Sequence, residues 1–235
     1  MFSLPVISYG LAAIAFMLLS LFAVVKWRAC VEDGLLLLAS VTTFVWACLV
    51  STGHFYDYLS PQWLSIIELL RNIAWFALLI RLVFIAGNNR WLGFVKKTLF
   101  ITLAGVFGSF IFFVYPYFLV GNGSSSPGLF DVNLRLVAHI VLSLTGLFLL
   151  EQWYRNIGAE LRWSSKFLCL GIASIFAFDF FLYSDALLFG EIDVDFWGVR
   201  GIIYVMVVPL IGISISRSRQ WMLGDYVSHR LVFHS

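Results

Sequence analysis

Leu4-Pro-Val-Ile-Ser-Tyr-Gly-Leu-Ala-Ala-Ile-Ala-Phe-Met-Leu-Leu-Ser-Leu-Phe-Ala-Val-Val25 contains no charged residue and stops at Lys26-Trp27-Arg28. A helix over this run is about 30 Å long at about 1.5 Å per residue, which matches the hydrocarbon thickness of a bilayer. Six further stretches have the same character: Gly34 to Thr52, Trp63 to Ala86, Thr98 to Val120, Val132 to Leu150, Phe167 to Phe189 and Phe196 to Ser216. Seven spans are expected.

The cations orient them. Lys26 and Arg28 follow the first span; Arg81, Arg90, Lys96 and Lys97 end or follow the third; Arg155, Arg162 and Lys166 follow the fifth; Arg217, Arg219 and Arg230 follow the seventh. These are twelve of the fifteen Lys and Arg residues, and the connections between them carry His54 and Asp57, the Gly121 to Gly128 run, and Glu191, Asp193 and Asp195 instead. Lys and Arg accumulate on the cytoplasmic side, so the expected fold is an all-α integral membrane bundle of seven transmembrane helices, N-terminus outside and C-terminus cytoplasmic. The domain reading is a seven-helix unit over 1–216 and a cytoplasmic interfacial tail over 217–235.

With 61% apolar and 12% charged residues, the chain has too little polar surface for a water-soluble globule, in which about a quarter of residues are charged. Met1 to Pro5 lacks the basic start of a cleavable signal, so the first run is expected to remain as a span. Cys30, Cys48 and Cys169 offer no external pair for a disulfide. The net charge of +2 belongs to the inner loops and does not indicate nucleic-acid binding. The Trp153 to Trp163 segment, with apolar and aromatic residues interleaved with Arg155, Glu160 and Arg162, reads as lying at the inner interface or as an aromatic belt anchoring two helix ends.

Ionisable residues within the spans are rare because each costs a few kcal/mol at mid-membrane unless paired, hydrated or useful. Here they fall on one side of the bilayer. The third span carries Glu68 and Arg71; the fifth carries Arg135 and His139, with Asp131 at its mouth; the sixth carries Asp179, Tyr183 and Asp185; the seventh carries Arg200 and Tyr204. Spacings of three and four place Glu68 with Arg71, Asp131 with Arg135 and His139, Asp179 with Tyr183, and Arg200 with Tyr204 on shared helix faces. These ten residues are the candidate signal-sensing polar cavity, in the outer leaflet. Two compatible readings stay open: polar glue that holds helices in register, or a site for an unidentified small ligand or lipid.

Several functions lack their residues. A retinal Schiff base needs a lysine in the last span, whereas Lys26, Lys96, Lys97 and Lys166 all lie in connections. A catalytic zinc needs about three protein ligands, and only His54 and His139 lie near the outer half, so neither metal nor cofactor is expected. Ile80-Arg81-Leu82 stands where a G-protein-coupled receptor would carry its acidic-Arg-aromatic triplet. Pro209, in Val207-Val208-Pro209-Leu210, removes a backbone donor from the seventh span and is either a hinge or a static kink.

Glu151-Gln-Trp-Tyr-Arg-Asn, Phe181-Leu-Tyr-Ser-Asp-Ala-Leu-Leu-Phe189, the stretch from Arg200 through Val208-Pro209-Leu210 to Arg217, and Val227-Ser-His-Arg-Leu-Val-Phe-His-Ser235 complete the reading. Together they resemble the N-terminal multipass region of the sensor histidine kinase of the PEP-CTERM and exosortase system of Gram-negative bacteria. The likeness extends over most of the chain and is specific mainly from Glu151 onward. It implies an inner-membrane input module of a two-component system linked to exopolysaccharide and surface-protein expression. It also implies a homodimer that reaches a response regulator through downstream GAF and kinase domains. This chain contains no phospho-acceptor histidine motif and no glycine-rich ATP boxes, so kinase chemistry is expected to reside elsewhere. The alternatives are a small transporter, disfavoured by the apolar inner half, and a structural subunit of an envelope complex.

Overall fold

The computed structural model describes residues 4–27, 30–56, 61–86, 108 and 129–217, and of these every side chain except those at 54–56, 61–65, 129–135, 159–160 and 164. Six long helices account for nearly all of it: α1 (Leu4–Val25), α2 (Val31–Tyr56), α3 (Pro61–Ala86), α4 (Leu129–Asn156), α5 (Ala159–Phe189) and α6 (Val194–Arg217). They correspond to the first, second, third, fifth, sixth and seventh apolar stretches. The expected fourth span, Thr98 to Val120, the Gly121 to Gly128 connection and the 218–235 tail lie outside the described residues. All six helices are long and apolar enough to cross a membrane, and no strand occurs among the described residues. The chain is a helical multipass membrane protein.

Each helix packs on its two neighbours in the order α1, α2, α3, α4, α5, α6 and back to α1, so the six close into a ring. The outer surface is apolar. On α1, Leu4, Ile7, Leu11, Ile14, Leu18, Leu21 and Val25 form an exposed stripe, while Tyr9, Ala12, Phe16 and Leu19 face inward. An exposed apolar stripe of this length suits lipid, and the helix satisfies its backbone hydrogen bonds internally as the bilayer requires.

Local signals set the helix ends. Pro61 opens α3, where its missing N–H costs nothing. The Asp193 carboxylate accepts the Asp195 N–H at 2.7 Å and caps the start of α6. Gly190 ends α5 in the left-handed region (φ 80°), its N–H donating to the Ala186 carbonyl at 2.9 Å.

The helix ends decide between the two readings of the Trp153 to Trp163 segment. The Trp153 to Trp163 segment is not laid along the surface: α4 continues to Asn156, and α5 starts at Ala159. Trp153 and Ile157 point into the core and Trp163 points out, so its alternation reflects two helix ends meeting at a turn. Arg162 secures that turn by donating to the carbonyls of Ile157 and Arg155, both at 3.2 Å. At α6, Pro209 sits exposed inside a helix that runs unbroken from Val194 to Arg217.

Candidate functional site

The helix termini place the polar residues at one depth. Glu68 lies seven residues into α3, Arg200 six into α6 and Asp179 ten before the end of α5. At about 1.5 Å per residue these are about 9 to 15 Å from the end of the bundle that holds Leu4. All three helices turn these residues inward.

Arg200 is the hub. Its Nε and Nη2 each lie 2.8 Å from Asp179 Oδ1, and Nη2 also donates to Glu68 Oε1. Arg71 Nη2 donates to Asp179 Oδ2 at 2.8 Å and to Asn72 Oδ1 at 3.0 Å, with Glu68 Oε1 at 3.5 Å. Two cations thus face two carboxylates, and the quartet is neutral overall. The Tyr183 hydroxyl donates to Glu68 Oε1 at 2.6 Å, and the Tyr204 hydroxyl approaches Asp179 Oδ2 at 3.4 Å. One network therefore ties α3, α5 and α6 together.

Aromatic rings enclose the guanidinium groups. Arg71 Cζ stands 4.2 Å from the Trp46 ring centre, and Arg200 Cζ stands 4.9 Å from Trp46 and 5.1 Å from Trp197. Desolvated cation–π contacts of this kind are worth about 2 kcal/mol or more, which offsets part of the cost of removing guanidinium from water. Tyr9 packs edge-on against Trp46 at 5.3 Å, and His139 stacks on Tyr183 at 4.3 Å. Every helix of the ring contributes a side chain to the cluster or its wall.

The cluster is closed. Arg71, Arg200 and Tyr204 are 0% exposed and Glu68 only 4%, so the expected open cavity is, in this conformation, a packed and occluded network. Among the described residues, Arg71 Nε and Nη1, the Tyr9 hydroxyl and Trp197 Nε1 are buried without a hydrogen-bond partner. Leaving such groups unpaired costs about 1–3 kcal/mol each, and more on a charged group. Among the described residues, no group of three or more metal-ligating side chains is present.

Of the ten candidates, the structure brings together Glu68, Arg71, Asp179, Tyr183, Arg200 and Tyr204, with His139 stacked alongside. Asp185 is excluded. It is half-buried and makes no ion pair among the described residues, because six residues beyond Asp179 is not a whole number of helical turns. The side chains of Asp131 and Arg135 lie outside the described residues. Tyr9, Trp46, Asn72 and Trp197 were missed by sequence reasoning. Asn72 could have been found from its place beside Arg71, but nothing marks Tyr9 or Trp46 among so many membrane aromatics. Compared with protein families, curated proteins and solved structures, the chain matches no family model, no curated protein and no solved structure.

Proposed function

We propose that the chain is the sensory input module of a bacterial two-component system: a seven-span inner-membrane bundle, N-terminus outside, whose buried charge cluster responds to a signal from the outer side. Rearrangement of the cluster moves α6 and the cytoplasmic segment after it. The observation that carries this reading is the sharing of Arg200, on α6, between carboxylates of α3 and α5 while Arg71 keeps N–H groups that are unpaired among the described residues. A network serving only as glue has no use for unpaired donors. A guest bearing acceptors, or a shift of Asp179 between its two arginines, would engage them and change the hold on α6. The resemblance from Glu151 onward supports the sensor class, the homodimer and the link to a kinase and response regulator. The cation asymmetry supports the orientation.

Self-neutralisation of the quartet favours a second reading, a static lock in a structural subunit. Distance measurements separate the two. Spin labels at Ala86→Cys and Ser216→Cys, with Cys30, Cys48 and Cys169 replaced by Ser, report the separation of the α3 and α6 ends in the full chain in nanodiscs. Introducing Asp179→Asn is expected to shift that distance distribution. An unchanged distribution in inserted, folded protein would leave the static lock as the better reading.

A further inference from the structure

At the end of the bundle opposite the charge cluster, three cations gather where α5 begins and α6 ends. Lys166 Nζ lies 3.0 Å from the Trp163 ring centre and 5.0 Å from that of Phe167, and Arg217 Cζ lies 5.1 Å from the same Phe167 ring. Arg162 stands one turn from Lys166 on the same face of α5, a like-charge spacing that is unfavourable by itself. No carboxylate among the described residues pairs with any of the three. Glu151 pairs instead with Arg155, and Glu32 with Arg81. The start of α5 adds the positive end of a helix dipole, and Gly158 gives it no side-chain cap.

One turn deeper into the membrane the surface becomes apolar on both helices. Leu170, four residues beyond Lys166, is 55% exposed, and Ile213, four residues before Arg217, is 38% exposed. The apolar spans begin and end beside these cations, at Ser165 on α5 and Arg217 on α6. We infer that the α5/α6 seam at this face binds an anionic phospholipid, its phosphodiester held by Lys166 and Arg217, with the positive charge of Arg162 one turn away, and its acyl chains lying against Leu170 and Ile213. Free phosphate shares the headgroup chemistry, but it has no use for the two exposed apolar residues beneath the cations. The neutral alternative, a zwitterionic lipid, leaves three cations facing a headgroup that carries its own.

Native mass spectrometry of the full chain tests this, with phosphatidylglycerol and phosphatidylcholine of identical acyl chains as probes. Phosphatidylglycerol is expected to be retained preferentially, and Lys166→Gln and Arg217→Gln are each expected to reduce its retention about fivefold, the value of one cation near an anionic surface. Lys26→Gln, which removes a cation over the Phe22 ring at the same face, is expected to change nothing. Lys166→Arg is expected to preserve binding, which separates loss of charge from loss of folding. Glycerol phosphate at millimolar concentration is expected not to displace the lipid. Equal retention of the two lipids, an equal loss with Lys26→Gln, or displacement by glycerol phosphate would each overturn the lipid site.

Discussion

Asp179 carries more consequence than any other single side chain, because one carboxylate holds two guanidinium groups. Its Oδ1 takes Arg200 and its Oδ2 takes Arg71, in an interior where neither cation can reach water. Asp179→Asn leaves two cations against Glu68 alone. Breaking a buried pair in this way costs about 3–5 kcal/mol, so a large drop in thermal midpoint and in folded abundance is expected from detergent-solubilised membranes. Asp185→Asn, six residues along the same helix and outside the network, is expected to fall within about 0.5 kcal/mol of the parent in the same assay. Comparable losses at the two positions would show that the network does not hold the bundle. The four charges were legible in the sequence because an ion inside an apolar span is conspicuous. Their aromatic enclosure was not, because Tyr9 and Trp46 differ from their neighbours only in where the fold puts them.

Helix α6 is held by proximity as well as by charge. A Cβ added at Gly201 would sit 2.6 Å from Ser8 Oγ and 2.7 Å from the Ser8 backbone carbonyl carbon, so α1 and α6 approach as closely as glycine permits. Gly201→Ala must push the two helices apart, and overpacking of this kind costs about 1–3 kcal/mol. Gly212→Ala on the same helix meets nothing within 4 Å and is expected to be neutral or to stabilise by up to about 1 kcal/mol, the helix-propensity difference. Thermal unfolding of the two variants should therefore move in opposite directions or separate clearly. Pro209 belongs to this scale too. It faces outward, makes no part of the cluster, and deprives α6 of one backbone hydrogen bond. If it is the hinge of the proposed relay, Pro209→Ala should leave insertion and thermal stability intact while abolishing the distance shift that Asp179→Asn produces between Ala86 and Ser216. A shift of undiminished size in the double variant would make the proline a structural kink and route the movement elsewhere.

For the whole molecule, the arrangement of cations makes a prediction independent of any signal. A reporter joined after Ser235 should be active in the cytoplasm, and a cysteine placed at Ser125 should react with impermeant thiol reagents from outside. Labelling of that cysteine only after lysis would reverse the orientation. Membrane residence and the positions of six helices follow from sequence alone, since twenty-odd apolar residues have no stable place except across a bilayer, and a helix is the way to bury their backbone there. The one-sided placement of Glu68, Arg71, Asp179 and Arg200 follows as well, because depth is a count of residues from the helix end. Which of the charges meet is a different matter. Ion pairing depends on how each helix is rotated and which neighbours it touches, and a lipid-facing residue and a core-facing one can be equally apolar in composition. Closure of the ring brings Arg200 of α6 onto both Asp179 of α5 and Glu68 of α3, leaves Asp185 aside and shuts the cluster from solvent. Those outcomes belong to packing between helices far apart in the chain, which periodicity within a single helix does not encode.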